Sequence, residues 1–169
     1  FLMFVPCSFA EEPIKIYITS ENFPDTRFRN YVTDKFWSKT QKKDDQYAYL
    51  DSWDIADAKE IKITGQMGDG GIDEELGVRY EAMIPAVKDF KGVEYFTELV
   101  SFDCPFNSVD ILDLSGKPNL LYVNCENSRI NSINLSGDES IEILNLKQNN
   151  LRKLDLSGLF YLENLNCSY

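Results

Sequence analysis

From Leu99 to the last residue, apolar side chains return with a fixed period of twenty-one. Leu99, Leu120, Ile141 and Leu162 form one column, and Phe102, Val123, Leu144 and Leu165 a second. Cys104, Cys125, Leu146 and Cys167 form a third. Asn107, Ser128 and Asn149 follow, then Val109, Ile130 and Leu151. The apolar rule is used again inside each row, in Val109, Leu112, Leu114; Ile130, Ile133, Leu135; and Leu151, Leu154, Leu156. A fixed period of this length is the mark of a solenoid, and alternation across an L-x-L triplet is a strand signal. The pattern predicts one coil per row with a short strand on each long side. Stacked coils share an apolar interior that a single coil cannot close.

Ahead of the repeats the spacing changes. Residues 14–19, IKIYIT, alternate as a strand does. Phe28, Tyr31, Val32 and Phe36 fall on one helical face, with Pro24 and Asp25 suited to its first turn. The 43–51 stretch reads as a turn, followed by a short helix from Ser52, a residue type that caps well. Ile61 and Ile63 predict another short strand. Residues 65–77 are rich in Gly and acid and read as a loop, and Tyr80 to Pro85 as a strand or an irregular connection. Val87 and Phe90 keep the repeat spacing, so an irregular first coil is expected to begin there.

Residues 1–10, FLMFVPCSFA, are apolar and end in Ser8-Phe9-Ala10 before Glu11-Glu12. Small residues at these positions match a signal-peptidase site; a buried first strand is the alternative, and a lipid anchor through Cys7 a weaker one beside Val5 and Pro6. On this reading 1–10 is the remnant of a signal peptide, the protein acts outside the cytoplasm, and the mature part carries no transmembrane segment. The chain also ends within a repeat, so it reads as a fragment at both ends.

Charge narrows the partners. The net charge is −11, with −7 over residues 11–98 and −4 over 99–169. No basic stripe is present, which argues against nucleic acid. The chain has no histidine, the commonest general base and metal ligand. Cys104, Cys125 and Cys167 share a column with Leu146, so they read as small buried hydrophobes carrying free thiols; a Cys104–Cys125 bridge between neighbouring coils is the alternative. Residues 43–54 sit where an EF-hand-like loop would, but only Asp45 and Leu50 match the template well, with a shortened acid at Asp54. Asp69, Asp73, Glu74 and Glu75 read as an exposed acidic loop. No metal and no cofactor are expected.

The repeat, L-x-x-L-x-L/C-x-x-N-x-L, resembles the leucine-rich repeat. Together with ENFPDTRFRNYV at 21–32 and KGVEYFTEL at 91–99, the repeats ending in L-D-L-S-G resemble secreted leucine-rich-repeat proteins of host-associated anaerobic bacteria. The likeness covers nearly all the chain after residue 13; the degenerate 43–54 loop and the acidic insertion at 65–85 depart from it. It implies an α+β N-terminal cap over 11–98, then a leucine-rich-repeat solenoid of short parallel strands over 99–169. The solenoid would hold three full repeats and an incomplete fourth. It also implies that the Asn at positions 107 and 149 turns inward to satisfy loop backbone groups.

Between the inward columns lie outward ones. They hold Ser101, Tyr122 and Ile143; Asp103, Asn124 and Asn145; and Glu126 and Lys147. Stacking sets these side by side as one strip, and such strips form extended binding faces. They are the expected partner-binding residues, for a protein or glycan ligand on a host or neighbouring cell. An Asx column can also exist only to hydrogen-bond along the stack. Catalysis is not expected. Glycosidases use two carboxylates about 5–9 Å apart, and Asp103 and Glu126 on adjacent coils have nothing to shield them. No G-x-S-x-G, Cys–His pair or phosphate loop is present. The competing reading is a structural spacer or accessory domain of a larger extracellular enzyme.

Overall fold

The columns read along the repeats are registered neighbours in space. In the computed structural model, residues 12–37, 41–44, 47–65, 72–73, 78–79 and 86–169 are described. Residues 1–10, Asp45, Asp69, Glu74, Glu75 and the Tyr80 to Pro85 segment lie outside them.

The alternating residues near the start form β1 (Lys15–Tyr17). Asp25 then caps α1 (Thr26–Val32). Its extended backbone lets Oδ1 accept the amides of Arg27 at 2.8 Å and Phe28 at 3.0 Å. Asp25 is thus the cap and not part of the first turn, because those free amides have no partner inside the helix. The helix runs on as a π-helical turn over Thr33–Trp37. Phe28 and Val32 are fully buried, and Tyr31 and Phe36 pack at the edge of the core.

The 43–51 stretch is a hairpin, where the sequence reading expected a turn. β2 (Lys43–Asp44) and β3 (Tyr47–Asp51) pair antiparallel, and β3 pairs with β1. α2 (Ser52–Ala56) begins at Ser52, yet its cap is Asp51. The Asp51 carboxylate accepts the amides of Trp53 and Asp54, and the Asp54 carboxylate accepts the Asp51 amide, a reciprocal capping box. The Lys42 ammonium lies 2.7 Å from Asp51 and 2.8 Å from Asp54.

β4 (Glu60–Lys62) comes next. Of the acidic insertion only β5 (Ile72–Asp73) and β6 (Val78–Arg79) are described, as an antiparallel pair. The remaining strands are β7 (Ser101–Asp103), β8 (Ile111–Asp113), β9 (Tyr122–Asn124), β10 (Ser132–Asn134), β11 (Ile143–Asn145) and β12 (Asn164–Asn166). They build a solenoid of parallel strands. One ladder runs β4-β7-β9-β11-β12, and a shorter one pairs β8 with β10.

The register matches the columns. Ile61, Phe102, Val123, Leu144 and Leu165 face one another across the ladder. The first coil therefore starts at β4, earlier than Val87. Ala58, Ile61 and Ile63 carry the same spacing as Leu99, Phe102 and Cys104, and all are buried. The insertion lengthens this coil, so Ala58 to Leu99 is about twice the interval from Leu99 to Leu120. Val87 still enters the core, and its amide donates to the Asn107 side chain at 2.9 Å.

Asn107, Ser128 and Asn149 are buried and tie each coil to the one before it. Asn149 Oδ1 accepts the amides of Ser128 and Ile130, while Nδ2 donates to the carbonyls of Cys125 and Leu146. Buried loop backbone thus finds side-chain partners where no strand reaches it.

The N-terminal segment shares this core. Phe28 stands edge-on to Phe90 at 5.2 Å, and Phe90 to Phe102 at 5.1 Å. α1 also lies along the outer edge of β4. Tyr31 Oη accepts the Lys62 amide at 2.9 Å, and the Arg27 guanidinium donates to the Thr64 carbonyl at 2.6 Å. These bonds occupy groups that an open strand edge would leave exposed.

Cys104 and Cys125 are buried free thiols, and burial pushes both thiols up, Cys104 further through its neighbour Cys125. Cys167 departs from the expectation: it is exposed. It occupies the same column, but no described coil stacks over it, and Leu165 beside it is 41% exposed for the same reason.

Candidate binding ribbon

Parallel pairing places Ser101, Tyr122 and Ile143 directly opposite one another, between Glu60 at one end and Asn164 at the other. The next outward column runs Lys62, Asp103, Asn124, Asn145, Asn166. Six of the eight expected strip residues therefore lie on one face of one ladder, and Glu126 and Lys147 sit in the turns just after its strands, joined by an ion pair. Glu60 and Lys62 belong to it as well. The spacing of Ala58, Ile61 and Ile63 carried that signal, displaced from the period by the insertion.

The second column is zipped along the stack. The Asn124 amide donates to Asp103 Oδ1 at 2.9 Å, and the Asn145 amide to Asn124 Oδ1 at 3.0 Å. Asn145 also reaches Glu126 at 3.3 Å. At one end Lys62 pairs with Asp103 at 3.4 Å, and on the neighbouring column Lys147 pairs with Glu126 at 3.2 Å. Asn124 and Asn145 turn their oxygens back as well, onto the amides of Glu126 and Lys147. Side chains held this way keep a fixed geometry, which lowers the entropy lost when a partner docks.

Tyr122 stands half-buried between Ser101 and Ile143, and Ile143 is 38% exposed. Burial first, and the nearby Asp103 charge second, raise the Tyr122 phenol above its ordinary value, so it stays a neutral donor. The strip thus sets two apolar side chains beside an amide ladder and two ion pairs. Asp103 and Glu126 are each engaged by a cation and by an asparagine amide.

The other long side carries different chemistry, and there the expected strand forms in the first two rows, as β8 and β10, but not over Leu151–Leu156 of the third. Asp113, Asn134 and Asp155 each fold back onto the amide of the serine two residues on. These short loops are self-contained, and Asp155 is exposed on that side.

No family model matches the chain, and no curated protein matches it. Among the described residues, no helix is long and apolar enough to cross a membrane.

Proposed function

We propose that this chain is a non-catalytic binding module of a secreted or cell-surface bacterial protein of the leucine-rich-repeat kind. It holds a protein or glycan partner across the ribbon of Ser101, Asp103, Tyr122, Asn124, Glu126, Ile143, Asn145 and Lys147. The observation that carries this reading is the shared register, which turns separate repeat positions into one prearranged strip. The N-terminal segment acts as the cap that such stacks need at their ends; Tyr31 and Arg27 on the β4 edge support that role. Export rests on the apolar stretch at 1–10 and its Ser8-Phe9-Ala10 ending.

The alternative is a structural spacer or accessory domain of a larger extracellular enzyme. The amide ladder favours it to this extent: Asp103, Asn124 and Asn145 already bond to one another.

The test uses the full chain, immobilised, to capture partners from host extracellular material. Variants are then titrated with the purified partner. Interface energy concentrates in a few large side chains, so Tyr122→Ala weakens binding by about 1–3 kcal/mol. Ile143→Asp weakens it similarly, and Asp155→Ala, at the repeat position of Asp113 and Asn134 away from the ribbon, leaves it unchanged. Normal binding by both ribbon variants, with loss in Asp155→Ala, puts the partner on the wrong face for this proposal. Failure to capture any partner favours the spacer.

A further inference from the structure

The three-stranded N-terminal sheet has two unlike faces. Its inner residues, Ile16, Ile18 and Leu50, pack against the core. Strand alternation sends Lys15 and Tyr17 of β1 to the other face, with Tyr47 and Tyr49 of β3. Tyr17 sits opposite Tyr49, and Asp44 of β2 opposite Tyr47. One outward surface therefore collects three tyrosines, a lysine and an aspartate.

These groups are already ordered. The Tyr17 ring meets Tyr47 edge-on at 6.4 Å and Tyr49 at 6.0 Å. Asp44 Oδ2 accepts from the Tyr17 hydroxyl and the Lys15 ammonium, both at 3.0 Å. The same ammonium lies 4.6 Å above the Tyr49 ring. Beside the rings opens a shallow hollow of about 730 Å³, walled by Tyr17, Tyr47 and Asp44 on the sheet and by the Ser20-Glu21-Asn22 turn opposite. Asn22 anchors that turn, donating to the Tyr17 carbonyl at 2.8 Å and accepting from Tyr95 at 3.2 Å. Ser20 and Glu21 point to solvent, and Tyr47 is 54% exposed.

We propose that this hollow is a carbohydrate-binding site, which takes a neutral pyranoside against the Tyr47 and Tyr17 rings with Ser20 and Glu21 reaching its hydroxyls. A sugar ring has one C–H-rich face suited to an aromatic surface and a rim of hydroxyls that both donate and accept. The hollow offers the matching halves: rings on one wall, a hydroxyl and a carboxylate on the other. Its size and openness suit one or two sugar units, whereas drug-like apolar ligands are enclosed far more fully. Anions are repelled by the Glu21 carboxylate. Organic cations are disfavoured because Lys15 already neutralises Asp44 and occupies the Tyr49 face. The site is separate from the ribbon and does not depend on its assignment.

The full chain is screened on a printed panel of neutral oligosaccharides built from glucose, galactose, mannose and N-acetylglucosamine. Hits are titrated by calorimetry, with choline as a parallel ligand. The expected result is binding of at least one oligosaccharide, weakened about tenfold by Tyr47→Ala, the size of one lost ring contact. Glu21→Ala weakens it as well. Both side chains are exposed, so circular dichroism is expected to show both variants folded. Tyr122→Ala leaves this binding unchanged, which separates the site from the ribbon. No binding on the panel overturns the proposal, as does binding indifferent to Tyr47→Ala and Glu21→Ala. Tyr47-dependent binding of choline in place of sugars also overturns it and assigns a cation site.

Discussion

Gly65 lies against the carbonyl of Phe106. A Cβ at Gly65 would stand 1.6 Å from the Phe106 oxygen and 2.3 Å from its carbon, far inside any non-bonded contact. The Gly65 amide also donates to the Pro105 carbonyl at 2.8 Å. The first coil leaves the ribbon at this point. Gly65→Ala is expected to cost about 3 kcal/mol or more, because backbone and not a side chain must move. Gly116 is a useful contrast: its φ is +72°, but nothing lies within 4 Å of its Cβ site. Gly116→Ala is expected to cost only about 1 kcal/mol, from the left-handed backbone alone. Urea unfolding of both variants tests the order; equal losses would show that the Phe106 contact relaxes.

The buried asparagines make a second prediction. Asn149→Ala strips partners from the amides of Ser128 and Ile130 and the carbonyls of Cys125 and Leu146. Unsatisfied buried groups cost about 1–3 kcal/mol each, less what water recovers. A total near 3–5 kcal/mol is expected in denaturant titration. Ser128→Ala removes fewer bonds, to the Asn107 amide and the Cys104 carbonyl, and is expected to cost about 1–2 kcal/mol. A smaller loss for Asn149→Ala than for Ser128→Ala would contradict the tie between coils.

Lys117, Asp138 and Leu159 share an inward column, and Asp138 is fully buried. One carboxylate oxygen accepts the Lys117 amide at 2.6 Å, while the other has no partner among the described residues. Burial pushes the Asp138 carboxyl up to about 7. The folded state then holds a proton that the unfolded chain releases near pH 4. Stability from this group is therefore greatest below that pH, falls as pH rises towards 7, and stays low above it. Asp138→Asn keeps the acceptor for Lys117 and does not titrate. Relative to the parent chain it is expected to gain on the order of 2–3 kcal/mol between pH 4 and pH 8. Parallel stability profiles for the two proteins would show that Asp138 remains ionised at low cost.

The thiols divide by place in the stack. Cys167 is exposed and is expected to react with a thiol reagent within minutes in native protein. Cys104 and Cys125 are expected to react only on unfolding, since burial denies both access and the thiolate form. Peptide mapping after labelling assigns each site. Fast native labelling of Cys104 would place that column outside the core.

By itself the sequence determined the solenoid, its register and the identity of its inward and outward faces. A period of twenty-one leaves one parallel register in which Leu99, Leu120 and Ile141 share a column, and strand alternation then fixes which side chains face out. The inward turn of Asn107 and Asn149 was implied by the resemblance and not by the spacing, and the structure supplied their backbone partners. Elsewhere the tertiary structure decided. The spacing at Ala58, Ile61 and Ile63 was visible, but an insertion broke the period, and only pairing with β7 made it the first strand of the ribbon. Asp51, and not Ser52, became the cap because the hairpin before it held its carboxylate over the free amides. Cys167 obeys the column yet meets solvent, because burial depends on a neighbouring coil and not on the residue. The Tyr17–Tyr47–Asp44 surface joins residues far apart in the chain, and no local pattern encodes which strands will lie side by side.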